Sequence, residues 1–184
     1  MTETFQLPPA LTDGGFSVRD ETTGDDAYLL KLYGQVRAPE LARVPDWTDE
    51  QKTQFVVQQF NAQRHHYRTR IAECRFMVIE HRGLPIGRLY LQERETRWQI
   101  VDIALEGERR GAGLGRALIS HVCDAAHGMG KGVGLFVEHD NPAQRLYRRL
   151  GFRTVCDTGV YAELEWMPGS VADAIGVAQL NTAS

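Results

Sequence analysis

The residues best suited to chemistry lie in one run, Arg109-Arg110-Gly111-Ala112-Gly113-Leu114-Gly115-Arg116. Three glycines at alternate positions lack a Cβ, so the backbone can curl closely around a ligand. The run ends where a helical pattern begins, and the first N–H groups of a helix have no partner within it. With the helix dipole they form a concave row of donors that suits a pyrophosphate. Arg110 and Arg116 can add charge-assisted contacts. No GxxxxGK[ST] run exists, which excludes a Walker A loop. A dinucleotide fingerprint needs GxGxxG, whereas the spacing here is GxGxG. Glu138 ends the next strand, near where a ribose-binding acid would stand, but no repeated βαβ units surround the run. A nucleotide-binding oxidoreductase and a purely structural glycine turn both stay open on these residues alone.

The elements that must hold this run can be read from periodicity. Phe16 to Arg19 reads as a strand, and Asp25 opens a helix with apolar Leu29, Leu30, Leu32, Tyr33 and Val36. Pro39 and Pro45 predict a loop. Thr48 with Gln51 three residues on is a capping box, and Phe55, Val56, Phe60 and Tyr67 can share a face of the helix it starts. Phe76–Glu80, Ile86–Glu93 and Trp98–Leu105 read as an antiparallel meander. Leu114, Ala117, Leu118, Val122 and Ala125 then repeat at helical spacing, up to the glycines of 128–134. Val133–Val137 reads as a buried strand. Asn141-Pro142 predicts a helix start, with Ala143, Leu146, Tyr147 and Leu150 as its stripe. Phe152–Cys156 and Val160–Trp166 predict two closing strands. This order predicts an α/β (α+β) domain, a central mixed, mostly antiparallel twisted sheet with helices on both faces.

The glycine run resembles the acyl-CoA pyrophosphate loop of the GNAT superfamily of N-acetyltransferases, [QR]xxGx[GA], which Arg110, Gly113 and Gly115 fill. The stretch from Asn141 through Leu146-Tyr147 to Gly151-Phe152 is similar to that family's N..A..LY...GF helix, with Asn141 one residue nearer the Leu-Tyr pair than in many members. The resemblance is strong over 98–156, weaker over 75–97, and one of topology only over 16–70. It implies the GNAT fold, with strand four and the strand after the first signature helix splayed around the pantetheine arm. Main-chain groups of Ile103, Ala104 and Leu105 would then bind that arm. Amides of Arg110, Gly111, Ala112, Gly113, Leu114, Gly115 and Arg116 would hold the pyrophosphate, and Asn141 would touch the arm further along. Arg145, Arg148 or Arg149 would approach the 3′-phosphate, or form a solvated basic face.

The resemblance further implies transfer of acetyl from acetyl-CoA directly to a primary amine in a ternary complex, the amine being a small molecule, a peptide N-terminus or a lysine. Tyr147 would be the general acid for the departing thiolate, a role that suits a phenol with an ordinary pKa of about 10. An amine of pKa about 10.4 is neutral in only about one molecule in 2,500 at pH 7, a deficit of roughly 4.6 kcal/mol unless a base helps. Asp102 on strand four and Glu138 at the end of the next are the candidate bases; a chain of waters is another route. Tyr33, Arg37, Trp47 and Tyr161 are weaker candidates for acceptor contact. A non-catalytic acyl-CoA-binding module is the alternative, and homodimerisation is left open.

Composition narrows the surroundings. With 21 basic and 24 acidic residues the formal net charge is −3, which suggests neither nucleic-acid nor membrane binding. Cys74, Cys123 and Cys156 are odd in number and form no CxxC, as expected of free thiols in the cytoplasm. No metal site is expected: His65-His66 are adjacent and share no helix face, and His121, His127 and His139 make no ligand motif. The expected organisation is a flexible segment over 1–15, a single domain over 16–168 and a tail over 169–184.

Overall fold

The computed structural model describes residues 5–169. The expected tail therefore lies, from residue 170 on, outside the described residues, as do residues 1–4. Between 5 and 15, where flexibility was expected, Pro9–Thr12 forms a short helix, α1, and Phe5, Leu7 and Leu11 are buried. Seven strands follow the hydrogen-bonded order β1-β2-β3-β4-β5-β7-β6. They are β1 (Phe16–Asp20), β2 (Cys74–His81), β3 (Leu84–Glu93), β4 (Arg97–Leu105), β5 (Gly132–Glu138), β6 (Arg153–Asp157) and β7 (Tyr161–Trp166). The longer helices are α2 (Asp26–Leu41), α3 (Asp49–Arg70) and α4 (Leu114–Gly128), and a short α5 spans Gln144–Arg149. The pairs β1–β2, β2–β3, β5–β7 and β6–β7 are antiparallel, and β4–β5 is parallel.

The chain divides into two compact units, one over 1–92 and 101–115, the other over 93–100 and 116–184. In the first, α2 and α3 pack through Leu29, Tyr33 and Phe60, with Tyr28, Leu30 and Val56 around them. Arg82 and Gly83, both with positive φ, make the turn between β2 and β3, and the Arg82 N–H donates to the Gly15 carbonyl at 2.7 Å. The approach of β3 to β4 is unusually close at Gly87: a Cβ there would stand 2.5 Å from the carbonyl oxygen of Ala104. Asp25 ties β1 to the start of α2. Its carboxylate accepts from both Nη groups of Arg19 at 2.8 and 2.7 Å, and from the Thr22 N–H and hydroxyl.

In the second unit α4 is amphipathic as its spacing predicted: Leu118, Ile119, Val122, Cys123 and Ala126 are buried. Its His127 ring meets the edge of Trp166 on β7. Val133, Leu135 and Val137 alternate inward on β5, paired with Trp166, Leu164 and Ala162 of β7. Arg97 at the start of β4 is held by Glu163 at 2.7 Å and Glu165 at 3.4 Å.

Two expectations need correction. Pro39 does not end α2, which continues to Leu41. A proline forfeits one N–H and crowds the preceding turn, but so near the C-terminus little helix remains to be disturbed, and Ala42 N–H still bonds back to Ala38. Asn141 is not the N-cap of α5, whose cap is Ala143. The Asn141 Oδ1 instead accepts the Ala143 N–H at 2.9 Å, an Asx turn that precedes the helix. The Thr48–Gln51 capping box is formed as expected, with reciprocal bonds of 2.8 and 3.2 Å.

Candidate active site

The first unit carries the end of β4 and the glycine run. Among the described residues the β4–β5 ladder runs from Arg97–Gly132 to Ile100–Leu135, so Ile103, Ala104 and Leu105 lie beyond its end. Glu106 N–H donates to Ile86 on β3 at 3.0 Å, and a 3-10 turn over Gly107–Arg109 leads into the loop. Gly111 and Gly113 have φ of +79° and +87°, the left-handed region that glycine enters without penalty. Nothing lies within 4 Å of where their Cβ atoms would be, so the loop borders open space on that side. A diphosphate needs this combination: backbone donors on a curled chain, with no side chain filling the hollow. Leu114 is buried and starts α4, with Gly115 and Arg116 in its first turn. Arg110 is turned differently from the expectation: its Nε donates to the Leu105 carbonyl at 2.8 Å, tying the loop to the end of β4.

Asp102 of β4 also belongs to the first unit. Its Oδ2 accepts from Arg88 Nη2 at 2.7 Å and from the Tyr67 hydroxyl at 3.3 Å. Arg88 is 4% exposed, so this is an ion pair buried on the guanidinium side. Burial, then the Asp102 charge, raises the Tyr67 phenol well above its ordinary range. Sequence reasoning missed Arg88; the one signal was a charge within the otherwise apolar Ile86–Leu91 strand pattern.

The second unit carries Arg116, Glu138, Asn141 and Tyr147. Tyr147 is 6% exposed, and its ring meets the Phe152 ring edge-on with centroids 5.7 Å apart. Two features hold it there: the α5 stripe turns it inward, and Phe152 N–H bonds back to the Tyr147 carbonyl at 3.0 Å. Glu138 ends β5, where its Oε1 accepts from the Tyr161 hydroxyl at 3.3 Å. Gln144 donates its amide to the Glu138 carbonyl, fixing α5 to the end of β5. Arg148 bonds to Gln144 and Arg149 to the Arg145 carbonyl, all on the exposed side of α5.

Of the weaker candidates, Tyr33 is a core residue of α2 with Arg37 over its ring, and Arg37 pairs with Glu40. Trp47 packs edge-on against Phe55. Cys74 and Cys123 are not activated as nucleophiles: burial pushes the Cys123 thiol up to about 12 and the Cys74 thiol up to about 11. Among the described residues no three His, Cys, Asp or Glu side chains gather as a metal site, and no helix is long and apolar enough to cross a membrane.

Residues 72–154 match the family model described as an acetyltransferase (GNAT) domain. The match runs from β2 to the start of β6, and takes in the glycine run and Tyr147. No curated protein matches in sequence. Solved structures share the GNAT fold. The PaiA N-acetyltransferase of Thermoplasma acidophilum, solved in complex with coenzyme A, is 14% identical with a TM-score of 0.63, covering 83% of this chain and 98% of its own. An acetyltransferase from Thermus thermophilus is 19% identical with a TM-score of 0.59, over 83% of this chain and 96% of its own. A spermidine N-acetyltransferase chimera from Vibrio cholerae and hSSAT is 19% identical with a TM-score of 0.55, over 83% and 95%. The expected fold class therefore holds: an open mixed sheet with helices on both sides.

Proposed function

We propose that the chain moves an acetyl group from acetyl-CoA directly to a primary amine in a ternary complex. The observation that carries this is the left-handed pair Gly111 and Gly113, facing open space just before the start of α4. The amides of Arg110 to Arg116 hold the pyrophosphate there. Main-chain groups of Ile103, Ala104 and Leu105 orient the pantetheine arm, and Arg110 exchanges its bond to Leu105 for the phosphates when coenzyme A enters. Asn141 meets the arm further along.

In the reaction the neutral amine attacks the thioester carbonyl. A C–N bond forms, the C–S bond breaks, and the thiolate takes a proton from the Tyr147 hydroxyl. The ammonium proton of the acceptor leaves to a carboxylate or through water. Asp102, whose Oδ2 is engaged by Arg88 and Tyr67, and Glu138, whose Oε1 is engaged by Tyr161, are the two candidates for that role. Three free cysteines fit a cytoplasmic setting for this chemistry.

Tyr147→Phe tests the proposal. Removing a proton donor in the transition state lowers kcat by about 10²- to 10⁴-fold, while calorimetric affinity for coenzyme A stays at the wild-type value. Unchanged turnover in the variant would remove Tyr147 from the mechanism. Coenzyme A binding with no turnover of any amine by the wild type would favour the non-catalytic module instead, a reading that Asp102's engagement with Arg88 keeps in view.

A further inference from the structure

The glycine loop and the segment assigned to the pantetheine arm meet at one side chain. Arg110 Nε donates to the Leu105 carbonyl at 2.8 Å, and both residues belong to the first unit. That carbonyl is one of the main-chain groups proposed to receive the arm. The guanidinium therefore stands on the approach to an oxygen that the arm needs. A carbonyl oxygen has two lone pairs, but a second N–H donor aimed at it meets the positive charge of the first.

Which partner can give way is decided by what holds each of them. Leu105 is buried. Its neighbour Glu106 is tied to β3 through an N–H bond to the Ile86 carbonyl at 3.0 Å. Leu105 Cδ2 lies only 2.7 Å from where a Cβ on Gly87 would stand, so it has no room to shift toward β3. Arg110 is exposed, and Gly111 after it borders open space. Any movement therefore falls to the Arg110 side chain. What draws it away is a chemistry the arm does not carry. A guanidinium–phosphate contact is charged on both sides and can be bidentate, whereas the bond to Leu105 is charged on one side only. A diphosphate on the loop wins the guanidinium from the carbonyl. The arm alone does not, because its amide N–H groups are neutral and can only replace a bond that is already broken.

We propose that Arg110 is a specificity-determining latch: it covers the Leu105 carbonyl until a diphosphate draws the guanidinium away, so that the pantetheine arm is admitted when phosphates come with it. The inference rests on the coenzyme A reading of the site, and adds to it a discrimination among acyl donors. Thioesters that end at pantetheine are disfavoured, although they carry the same acyl group on the same arm. The two ends of the cofactor then bind cooperatively, each strengthening the other by the same factor.

The test compares coenzyme A with pantetheine, which is the same arm without the nucleotide and its phosphates. Affinities of the wild type and of Arg110→Ala are measured by calorimetric titration, and the expected changes have opposite signs. Coenzyme A affinity falls roughly 10-fold, because a charge-assisted contact is lost. Pantetheine affinity rises about 3- to 10-fold, because the Leu105 carbonyl no longer has to be uncovered. Arg110→Met keeps the apolar stem and should behave alike, which separates the latch from side-chain packing. Saturating inorganic pyrophosphate should raise pantetheine affinity in the wild type and leave it unchanged in Arg110→Ala. Pantetheine affinity that falls or stays level in both variants overturns the latch: a residue that merely braces the loop would weaken both ligands, and one that merely binds phosphate would weaken coenzyme A alone. Wild-type pantetheine binding that ignores pyrophosphate overturns it too. Each of these results leaves acetyl transfer standing. Failure of the wild type to bind coenzyme A overturns the reading of the site itself, and with it this inference.

Discussion

At the scale of single residues, the charged groups of this protein divide by whether their partners are already in place. Asp25 is an extreme case. The hydrogen bonds from Arg19, and those from Thr22, hold its carboxyl well below the usual carboxylate range against an opposing push from burial. A carboxyl so depressed stabilises the fold fully above its unfolded pKa of about 4 and loses that contribution as pH falls below it. Asp25→Asn should therefore cost about 2 kcal/mol in urea unfolding at pH 7, and the gap from wild type should narrow steadily below about pH 4. A gap that stayed constant down to pH 3 would show that the charge is not what the site uses. The same division separates the two candidate bases. Asp102→Asn leaves Arg88 buried without its counter-charge, a loss of about 3–5 kcal/mol, and should register first as lowered stability. Glu138→Gln leaves the fold intact and should lower kcat at neutral pH, with activity recovering as pH rises and more amine is neutral. Both variants melting like wild type, with turnover lost only in Asp102→Asn, would reverse the assignment.

At the scale of elements, two glycines set the geometry of the site in different ways, and alanine at each should report which. At Gly87 the added methyl would lie 2.5 Å from the Ala104 carbonyl oxygen and 2.7 Å from Leu105 Cδ2, so β4 must shift. Overpacking of this kind costs about 1–3 kcal/mol, and because the displaced residues belong to the segment proposed to bind the pantetheine arm, coenzyme A binding should weaken too. At Gly113 nothing is met, and the cost is only that of the left-handed backbone, about 1–2 kcal/mol. Gly113→Ala should thus lower coenzyme A affinity on the order of 10-fold with a small change in melting temperature. Calorimetric titration and thermal unfolding of both variants read the contrast. It was at this scale that the sequence was most legible. The Thr48–Gln51 box, the α4 stripe and the closing hairpin follow from local spacing. Pro39 and Asn141 misled because a local rule has more than one outcome. A proline near a helix end is tolerated, and an asparagine before proline can cap a turn as readily as a helix. Arg88 could not be placed at all, since its partners Gln63 and Asp102 lie 25 and 14 residues away in the chain.

At the scale of the whole molecule, ligand binding and stability become one quantity. Anything that binds the native state alone raises its unfolding free energy by RT ln(1 + [L]/Kd), which is about 2.7 kcal/mol at 100 times Kd. For a chain of 184 residues each kcal/mol moves the melting temperature by about 2–4 °C, so coenzyme A at that ratio should raise it by about 5–11 °C. The dinucleotide NAD offers the same diphosphate, which is why it is the right control. The glycine loop alone would take either molecule, because peptide N–H groups recognise phosphate and not what is attached to it. Discrimination has to come from the pantetheine arm, through main-chain groups beyond the β4–β5 ladder that a nicotinamide ribose cannot match. A large shift with coenzyme A and none with NAD at equal concentration is therefore the expected outcome. Equal shifts would return the loop to a general diphosphate site, and a shift with NAD alone would restore the dinucleotide reading that the GxGxG spacing argued against.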